Sequence, residues 1–166
     1  MQRTHYNTNF KQHTFPITLI CDNITNALNI GSLFRIADAF GVKELIFCGE
    51  HIALGRKITK TSRATEKVVK HRVNTSTVNV VSELKASGHY IVSLEITTNS
   101  KPIHEFNFPK SQAIVLVVGD ENFGVSDAIL KLSNAIIHID MFGQNSSMNV
   151  VQAANIALFE ITKQLM

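Results

Sequence analysis

Short apolar runs that alternate with helix-like stretches are the feature that most limits how this chain can fold. The runs are rich in Val, Ile and Leu and nearly continuous, which is typical of strands buried on both faces of a parallel sheet. Strands are therefore predicted at 17–21, 44–48, 90–96, 113–118 and 135–139, with a weaker one at 68–73. Helices are predicted between them at 31–40, 78–87, 126–132 and 148–164.

This alternation predicts an α/β fold with an open, mostly parallel sheet and helices on both faces. A length of 166 residues leaves no room for a second domain of ordinary size, so we expect one domain over 1–166. Ligands of such sheets bind beyond the carboxyl ends of the strands. That rule selects the segments that follow Cys21, Val118 and Ile139.

Several function classes are disfavoured by composition. No apolar run approaches the roughly 18 residues that a membrane span needs, and the first 13 residues, MQRTHYNTNFKQH, are polar. Cys21 and Cys48 lie in apolar strand-like runs, which favours buried thiols over a disulfide framework. We expect a cytoplasmic protein with no membrane partner, and no metal, because the seven histidines lack ligand spacing.

The basic charge is concentrated in one segment, 56–72, which holds seven of the 16 Lys and Arg residues and one of the 13 Asp and Glu residues. A local basic patch on an otherwise slightly acidic chain is typical of a polyanion-binding surface. A solvated polar face is the alternative. The candidate polyanion-binding residues of this segment are Arg56, Lys57, Lys60, Arg63, Lys67, Lys70 and Arg72.

The loop after the first strand places Asn29, Gly31 and Arg35 close together at a predicted helix start. An arginine among apolar neighbours needs a partner, so Arg35 is a candidate for binding an anion. The alternative is an intrahelical pair with Asp38 and asparagines that serve only as turn and cap residues.

The other two loops also combine glycine with polar side chains. Gly119 and Gly124 have the spacing of a phosphate-binding loop, but the lysine of that motif is missing. What remains is a glycine-flanked turn that presents the carboxylate of Glu121 at the end of a strand. The alternative is a tight turn with a solvated acidic tip. Ser147 and Asn149 lie at the start of the predicted last helix, which could offer free N–H groups to a ligand. Simple capping by Ser146 or Ser147 is the alternative there.

Taken in order, three motifs resemble those of the SpoU family, RNA ribose 2′-O-methyltransferases of the SPOUT class. They are N-x-G-x-x-x-R from Asn29, G-x-E-x-x-G from Gly119, and I-x-M-x-G-x-x-x-S-[LM]-N-V from Ile139. The resemblance spans 17–165, and the run GDENFGVS is most similar to the TrmH branch that acts on tRNA. Asp140 stands where the family usually has proline, and Val151 and Gln152 where serine and valine often follow.

The resemblance implies S-adenosyl-L-methionine as methyl donor, held mainly by backbone groups of three loops. By position, the implied cofactor-binding residues are Leu94, Glu95, Ile96, Gly119, Glu121, Gly124, Ile139, Met141, Gly143, Ser147, Met148 and Asn149. It also implies a deep C-terminal trefoil knot, which pattern reading alone never proposes because knots are very rare. A homodimer with an active site shared between subunits is implied as well.

The implied catalytic residues are Arg35, Asn29, Glu121, Ser147 and Asn149. Arg35 either acts as the base or, as we prefer, clamps the RNA phosphate and stabilises the developing alkoxide, because a guanidinium rarely releases its proton. Asn29, Ser147 and Asn149 are expected to position the ribose, and Glu121 to orient Asn29 or Arg35. The expected substrate is tRNA, with a D-loop guanosine or an anticodon-loop nucleoside as target.

Three alternatives stay open at this stage. An rRNA ribose is an equally ordinary substrate for a small protein of this family. A non-catalytic RNA-binding protein could keep the same fold, and a nucleotide-binding α/β enzyme is the third reading. Binding of S-adenosylmethionine separates the tRNA and rRNA methyltransferase readings from the non-catalytic protein and the nucleotide-binding enzyme.

Overall fold

The computed structural model describes residue 8 and residues 10–166, so the start of the predicted domain, 1–7 with residue 9, lies outside the described residues. The strands found there are β1 (Phe15–Asp22), β2 (Val42–Cys48), β3 (His71–Asn74), β4 (Tyr90–Leu94), β5 (Lys101–Pro102), β6 (Ile114–Gly119) and β7 (Ala135–His138). The α-helices are α1 (Ala27–Ala39), α2 (Arg56–Ser62), α3 (Thr77–Ala86), α4 (Asp127–Leu132) and α5 (Val150–Leu165). Two short 3-10 helices cover Thr65–Lys67 and Ile103–Glu105.

All the described strands join one sheet in the order β3-β2-β1-β6-β4-β7-β5, and every neighbouring pair is parallel. The parallel α/β prediction is confirmed. Because the strands are parallel, their carboxyl ends meet at one edge, which brings the loops after β1, β4, β6 and β7 together. A membrane-crossing helix, long and apolar enough for a bilayer, is not found in this part of the chain.

Apolar side chains fill a layer on each face of the sheet. Leu19 and Leu116 are fully buried on the face that α1 and α5 cover, together with Leu158 of α5. On the other face, Ile20 and Val117 pack with residues of α3 and α4. Successive residues of a strand point to opposite faces. The near-continuous apolar runs therefore reflect burial on both sides, as predicted.

The first helix begins four residues earlier than predicted, at Ala27 instead of Gly31. Asn26 caps it, since its side-chain oxygen accepts hydrogen bonds from the N–H groups of Leu28 and Asn29 at 2.9 and 3.3 Å. Asn29 consequently lies in the first turn of α1 and not in the preceding loop. The alternative that an asparagine of this loop caps the helix is thus confirmed for Asn26, whereas the expected helix entry at Gly31 is wrong.

Gly31 lies inside α1, where it allows close packing against α2, a helix that the sequence analysis did not predict. A Cβ atom on Gly31 would lie 2.7 Å from the Ile58 carbonyl oxygen and collide with the Thr61 hydroxyl. The glycine is therefore required for contact between two helices and not for an unusual backbone conformation. Strand β5, two residues long, was also missed.

Candidate functional site

A cavity of about 350 Å³ opens at the carboxyl edge of the sheet, between the loops after β4, β6 and β7. This volume lies within the range of about 300 to 1,000 Å³ that is usual for small-molecule sites. Of the predicted cofactor-binding residues, the following line it: Leu94, Glu95, Ile96, Gly119, Glu121, Gly124, Ile139, Met141, Ser147 and Met148. Gly143 and Asn149 do not.

Other lining residues were not named individually from the sequence, although Asp120, Asn122, Phe123 and Ser146 lie within the predicted cofactor loops. They are Val118, Asp120, Asn122, Phe123, His138, Ser146, Val150 and Ala153. Most of them are neighbours of the predicted residues along the same three loops. His138 is different, because it ends the apolar strand β7 and its only signal was a polar residue within a buried run.

Glu95 joins the loop after β4 to the loop after β6. Its carboxylate accepts hydrogen bonds from the backbone N–H of Ile96 and of Val125, both at 2.9 Å. Gly124 has a φ of +65°, and a Cβ atom there would collide with that carboxylate. Glycine thus serves both the backbone conformation and the close approach of Glu95. Two walls of the cavity are fastened to each other by this contact.

A glycine at position 119 is required for the turn that carries Glu121, because a Cβ atom there would collide with the backbone of Gly124. Asp120 closes the same turn: its carboxylate accepts from the N–H of Asn122 at 2.9 Å and of Phe123 at 3.3 Å. Asp120 is thus a turn residue. The carboxylate of the neighbouring Glu121 takes no part in these turn hydrogen bonds.

The carboxylate of Glu121 meets two asparagines from distant parts of the chain. Its Oε1 accepts from Nδ2 of Asn29 at 2.9 Å and from Nδ2 of Asn149 at 2.7 Å. Asn149 Nδ2 also donates to Oδ1 of Asn29 at 3.1 Å, which closes a three-membered network. Asn29 is 9% exposed, so its amide needs such partners. Of the two predicted partners of Glu121, the structure pairs it with Asn29.

Asn149 has a second role as the N-cap of α5. Its Oδ1 accepts from the N–H of Val151 at 2.9 Å. Ser146 and Ser147 therefore do not cap this helix, and the simple capping alternative is wrong for both; each lines the cavity instead. Ser126 occupies the N-cap position of α4 without a side-chain cap hydrogen bond.

Arg35 lies apart from this network, on the exposed side of α1. It is six residues beyond Asn29, which is about 9 Å along a helix axis, and it does not line the cavity. Among the described residues it forms no ion pair, so the predicted alternative of a pair with Asp38 is not found. Its guanidinium group is free to bind a ligand.

The basic segment 56–72 forms α2, a left-handed bend at Arg63 and Ala64, and the strand β3. Lys70 and Arg72 each approach Glu44 at 3.5 Å. In the part of the chain that the structure describes, the other five cations form no ion pair; they are Arg56, Lys57, Lys60, Arg63 and Lys67. They leave an exposed positive surface in the segment that follows β2.

The two cysteines are free and buried, as predicted. Burial raises the pKa of the Cys48 thiol to about 11 and that of Cys21 well above its usual value. Asp22 lies beside both and accepts a hydrogen bond from the Thr77 hydroxyl at 2.6 Å. Both thiols are consequently neutral at physiological pH and have a packing role.

Within the described residues, no group of three or more His, Cys, Asp or Glu side chains is arranged to hold a metal ion.

The model of the SpoU rRNA Methylase family matches residues 16–159, which contain all three loops and all three residues of the asparagine–glutamate network. The chain belongs to the SpoU family. Its parallel sheet agrees with that of solved SpoU structures.

Similar proteins of the SpoU family include enzymes named for rRNA and enzymes named for tRNA. The chain is 31% identical over 150 residues to the 23S rRNA (guanosine-2′-O-)-methyltransferase of Neisseria meningitidis. The matched region covers 90% of this chain and 59% of that protein. It is 31% identical over 151 residues to the tRNA (guanosine(18)-2′-O)-methyltransferase of Aquifex aeolicus, covering 89% and 69%. It therefore spans only part of each relative's length.

A solved SpoU structure shares the fold. The methyltransferase AviRb from Streptomyces viridochromogenes, solved in complex with the cofactor AdoMet, superimposes with a TM-score of 0.79 at 27% identity. The match covers 93% of this chain and 62% of that one.

Proposed function

We propose that this protein transfers a methyl group from S-adenosylmethionine to the 2′-hydroxyl of a ribose in structured RNA. The observation that carries the proposal is the network of Asn29, Glu121 and Asn149 beside a cavity built from three loops of the SpoU family. The relatives named above act on rRNA and tRNA, and one solved relative holds AdoMet.

The cavity suits S-adenosylmethionine in volume and in chemistry. Apolar side chains of Leu94, Ile139 and Met148 line it together with the backbone of Gly119 and Gly124, a combination that favours a flat heterocycle with hydrogen bonds at its edge. The cofactor supplies a sulfonium-bound methyl group, which the ribose oxygen takes as the carbon–sulfur bond breaks and the hydroxyl proton leaves to phosphate or water.

The hydrogen-bond inventory divides the network into contacting and supporting residues. Asn149 uses both amide hydrogens and its oxygen within the protein, so it supports its neighbours. Glu121 has a second carboxylate oxygen and Asn29 a second amide hydrogen without a described partner. We infer that Asn29 and Glu121 face the ribose. Ser147, which lines the cavity, completes the expected set with its hydroxyl.

Arg35 is expected to clamp the phosphate next to the reacting ribose and to stabilise the developing alkoxide. A guanidinium does not act as a base at neutral pH, because it keeps its proton. Its distance from Asn29 along α1 suits a site shared between two copies, in which Arg35 of one subunit serves the cavity of the other. Arg35→Lys should then lose turnover, because lysine lacks the bidentate geometry.

A homodimer fits the surface of α5. Ile156 and Phe159, three residues apart on one side of the helix, are 38% and 59% exposed, while Ala154 and Leu158 are fully buried. Burial within one subunit thus does not account for the first pair. Phe159→Glu should yield a monomer by light scattering. A wild-type protein at monomer mass would exclude an active site shared between subunits.

We further propose that 1–166 forms one domain with the family's trefoil knot.

The basic segment 56–72, with its exposed and unpaired cations, is proposed as the track for RNA phosphates. No aromatic side chains alternate with them, which favours recognition of backbone and shape. We favour tRNA as the substrate because of the TrmH-like second motif, with rRNA as the alternative.

The two free, buried thiols fit a reducing compartment, and we place the protein in the cytoplasm.

The test is transfer of labelled methyl from S-adenosylmethionine to unmodified bulk tRNA and, separately, to rRNA, followed by nucleoside analysis. Arg35→Ala is the inactive variant, and Lys110→Ala removes an exposed cation outside the site as a matched control. Label in 2′-O-methylated nucleosides of one pool supports the proposal and selects the substrate class. Cofactor binding without label in either pool would point to an RNA outside these pools or to a missing partner, whereas absence of cofactor binding would favour a non-catalytic RNA-binding protein.

A further inference from the structure

Each of the three loops that build the cavity exposes one large apolar side chain. Ile96, Phe123 and Phe142 follow β4, β6 and β7 and are 56%, 85% and 95% exposed. Ile96 and Phe123 line the cavity, and Phe142 follows the lining residue Met141. Single exposed apolar residues are ordinary on a protein surface, but a group of them at one opening is typical of a binding site. The rim of the cavity is therefore suited to contact an apolar part of a substrate.

The backbone of Phe123 is fixed, although its ring is exposed. Residues 120–124 form one closed turn, in which the N–H of Gly124 donates to the carbonyl oxygen of Asp120 at 2.7 Å. The N–H of Phe123 itself donates to the Asp120 carboxylate at 3.3 Å. A ligand that covers this ring therefore does not have to order the backbone that carries it, which lowers the entropic cost of binding.

The expected position of the ribose determines which part of the RNA reaches this ring. Glu121, inferred above to face the ribose together with Asn29, lies in the same turn as Phe123, two residues before it. The base of a nucleotide is joined to the ribose carbon next to the one that carries the 2′-hydroxyl. A base whose ribose is held at Glu121 therefore lies beside the turn 120–124. Among the side chains of this turn, only Phe123 has a flat apolar face.

Stacking is the interaction that an exposed phenyl ring offers to a base. A nucleotide that enters a cavity leaves the stack of its neighbours, and RNA-binding proteins commonly replace that stack with an aromatic side chain. Every base has a π-face, so such a contact holds the nucleotide without selecting its sequence. The basic segment 56–72 contains no Phe, Tyr or Trp and does not supply this contact. Binding of phosphates and binding of the base are thus assigned to different surfaces.

We propose that the ring of Phe123 stacks on the base of the nucleotide whose ribose is methylated, with the exposed side chains of Ile96 and Phe142 completing an apolar rim. The inference rests on the proposed methyl transfer to RNA and names the residue that holds the reacting nucleotide. Phe123 contributes to binding of the RNA, whereas the cofactor is held by the apolar lining and the loop backbone described above. Substitution of the ring should therefore change the RNA step alone.

The experiment compares Phe123→Leu and Phe123→Trp with the wild type in methyl transfer to the RNA pool that the wild type labels. Leucine keeps an apolar side chain but lacks the π-face, so Phe123→Leu should lower kcat/KM for RNA about tenfold, as expected for loss of one stacked base. Phe123→Trp should keep kcat/KM at the wild-type value or above. Both variants should bind S-adenosylmethionine with wild-type affinity in calorimetry and unfold at the wild-type urea concentration, because the ring is exposed.

A second measurement does not depend on turnover. The chain contains no tryptophan, so Phe123→Trp carries a single indole, whose fluorescence should be quenched when the same RNA is added and a base stacks on it. Met166→Trp is the matched control. Met166 is also exposed, at 88%, but it ends α5, about 24 Å along the helix axis from the start of that helix beside the cavity. Its indole should keep its fluorescence.

Phe123→Leu with wild-type kcat/KM, or an indole at position 123 that RNA does not quench, would overturn the inference and leave the methyltransferase proposal intact. A change of molecular mass in light scattering that accompanies the loss of activity would assign the rim to a contact between two copies of the chain, which also overturns it. Absence of both cofactor binding and methyl transfer in the wild type would instead refute the proposed function, and this inference with it.

Discussion

Asn149 combines a helix cap with a place in the asparagine–glutamate network, and substitutions can separate these two roles. Asn149→Ala removes the cap of α5, which costs about 1 kcal/mol of unfolding free energy, together with two hydrogen bonds in a partly exposed position. Asn149→Ser keeps a good cap residue but lacks the amide that bridges Asn29 and Glu121. We expect its unfolding free energy to stay within about 0.5 kcal/mol of wild type.

Turnover should respond differently from stability. Both variants remove the amide that bridges Asn29 and Glu121 and leave these two residues with only their direct hydrogen bond, which loosens the geometry in which we expect them to meet the ribose. A loss of about 1.4 kcal/mol of transition-state stabilisation corresponds to tenfold in rate, so we expect each variant to transfer methyl at least about tenfold more slowly. Urea unfolding and single-turnover methyl transfer, measured on the same samples, provide the two quantities.

One result would refute this reasoning. If Asn149→Ser were as active as wild type while Asn149→Ala lost activity and stability in parallel, the residue would be a cap and nothing more. Asn149→Asp is less informative, because its carboxylate would also repel Glu121. A change in cofactor affinity equal to the change in turnover would assign the network to cofactor binding.

Three further predictions concern packing, pH and charge. Gly31→Ala should lower the unfolding free energy by about 1 to 3 kcal/mol, measured in urea, because its Cβ would lie 2.7 Å from the Ile58 carbonyl oxygen. Since burial raises the pKa of Cys48 to about 11, the folded protein keeps a proton that the unfolded chain loses from about pH 8.5 upward. Stability should therefore be unaffected below that pH and fall towards pH 11, with a shallower fall in Cys48→Ala. The double charge reversal Lys60→Glu with Arg63→Glu should weaken RNA binding and flatten its salt dependence while cofactor affinity stays unchanged; equal salt slopes would exclude this face as the phosphate track.

The general fold could be predicted because its signal lies in local patterns. Runs such as 113–118 are apolar at every position, which occurs when both faces of a strand are covered. The start of α1 was predicted wrongly because Asn26 competes with Gly31 as an entry signal, and only the contact with α2 shows what Gly31 is for. Helix α2 was missed because Ile58 is its only buried apolar residue, and one apolar residue gives no helical periodicity.

The candidate site was predicted as a set of loops, and its internal roles were not. Ser146 and Ser147 are ordinary cap residues in any sequence pattern, yet Asn149 caps α5. Whether Arg35 pairs with Asp38 was likewise undecided by spacing, because an i, i+3 pair is always sterically possible on a helix. Each of these choices depends on neighbours that are distant in the chain.

The amino-acid sequence by itself determined the parallel α/β class, the burial of both cysteines and the three loops at the carboxyl edge, since hydrophobic period and loop position are local properties. Tertiary structure decided which side chains meet. Glu121 joins Asn29 and Asn149 across separations of 92 and 28 residues, and Asp140 reaches His104 beside a cavity wall. Hydrogen bonds act over about 3 Å, so partners so distant in sequence become neighbours only after the sheet has formed.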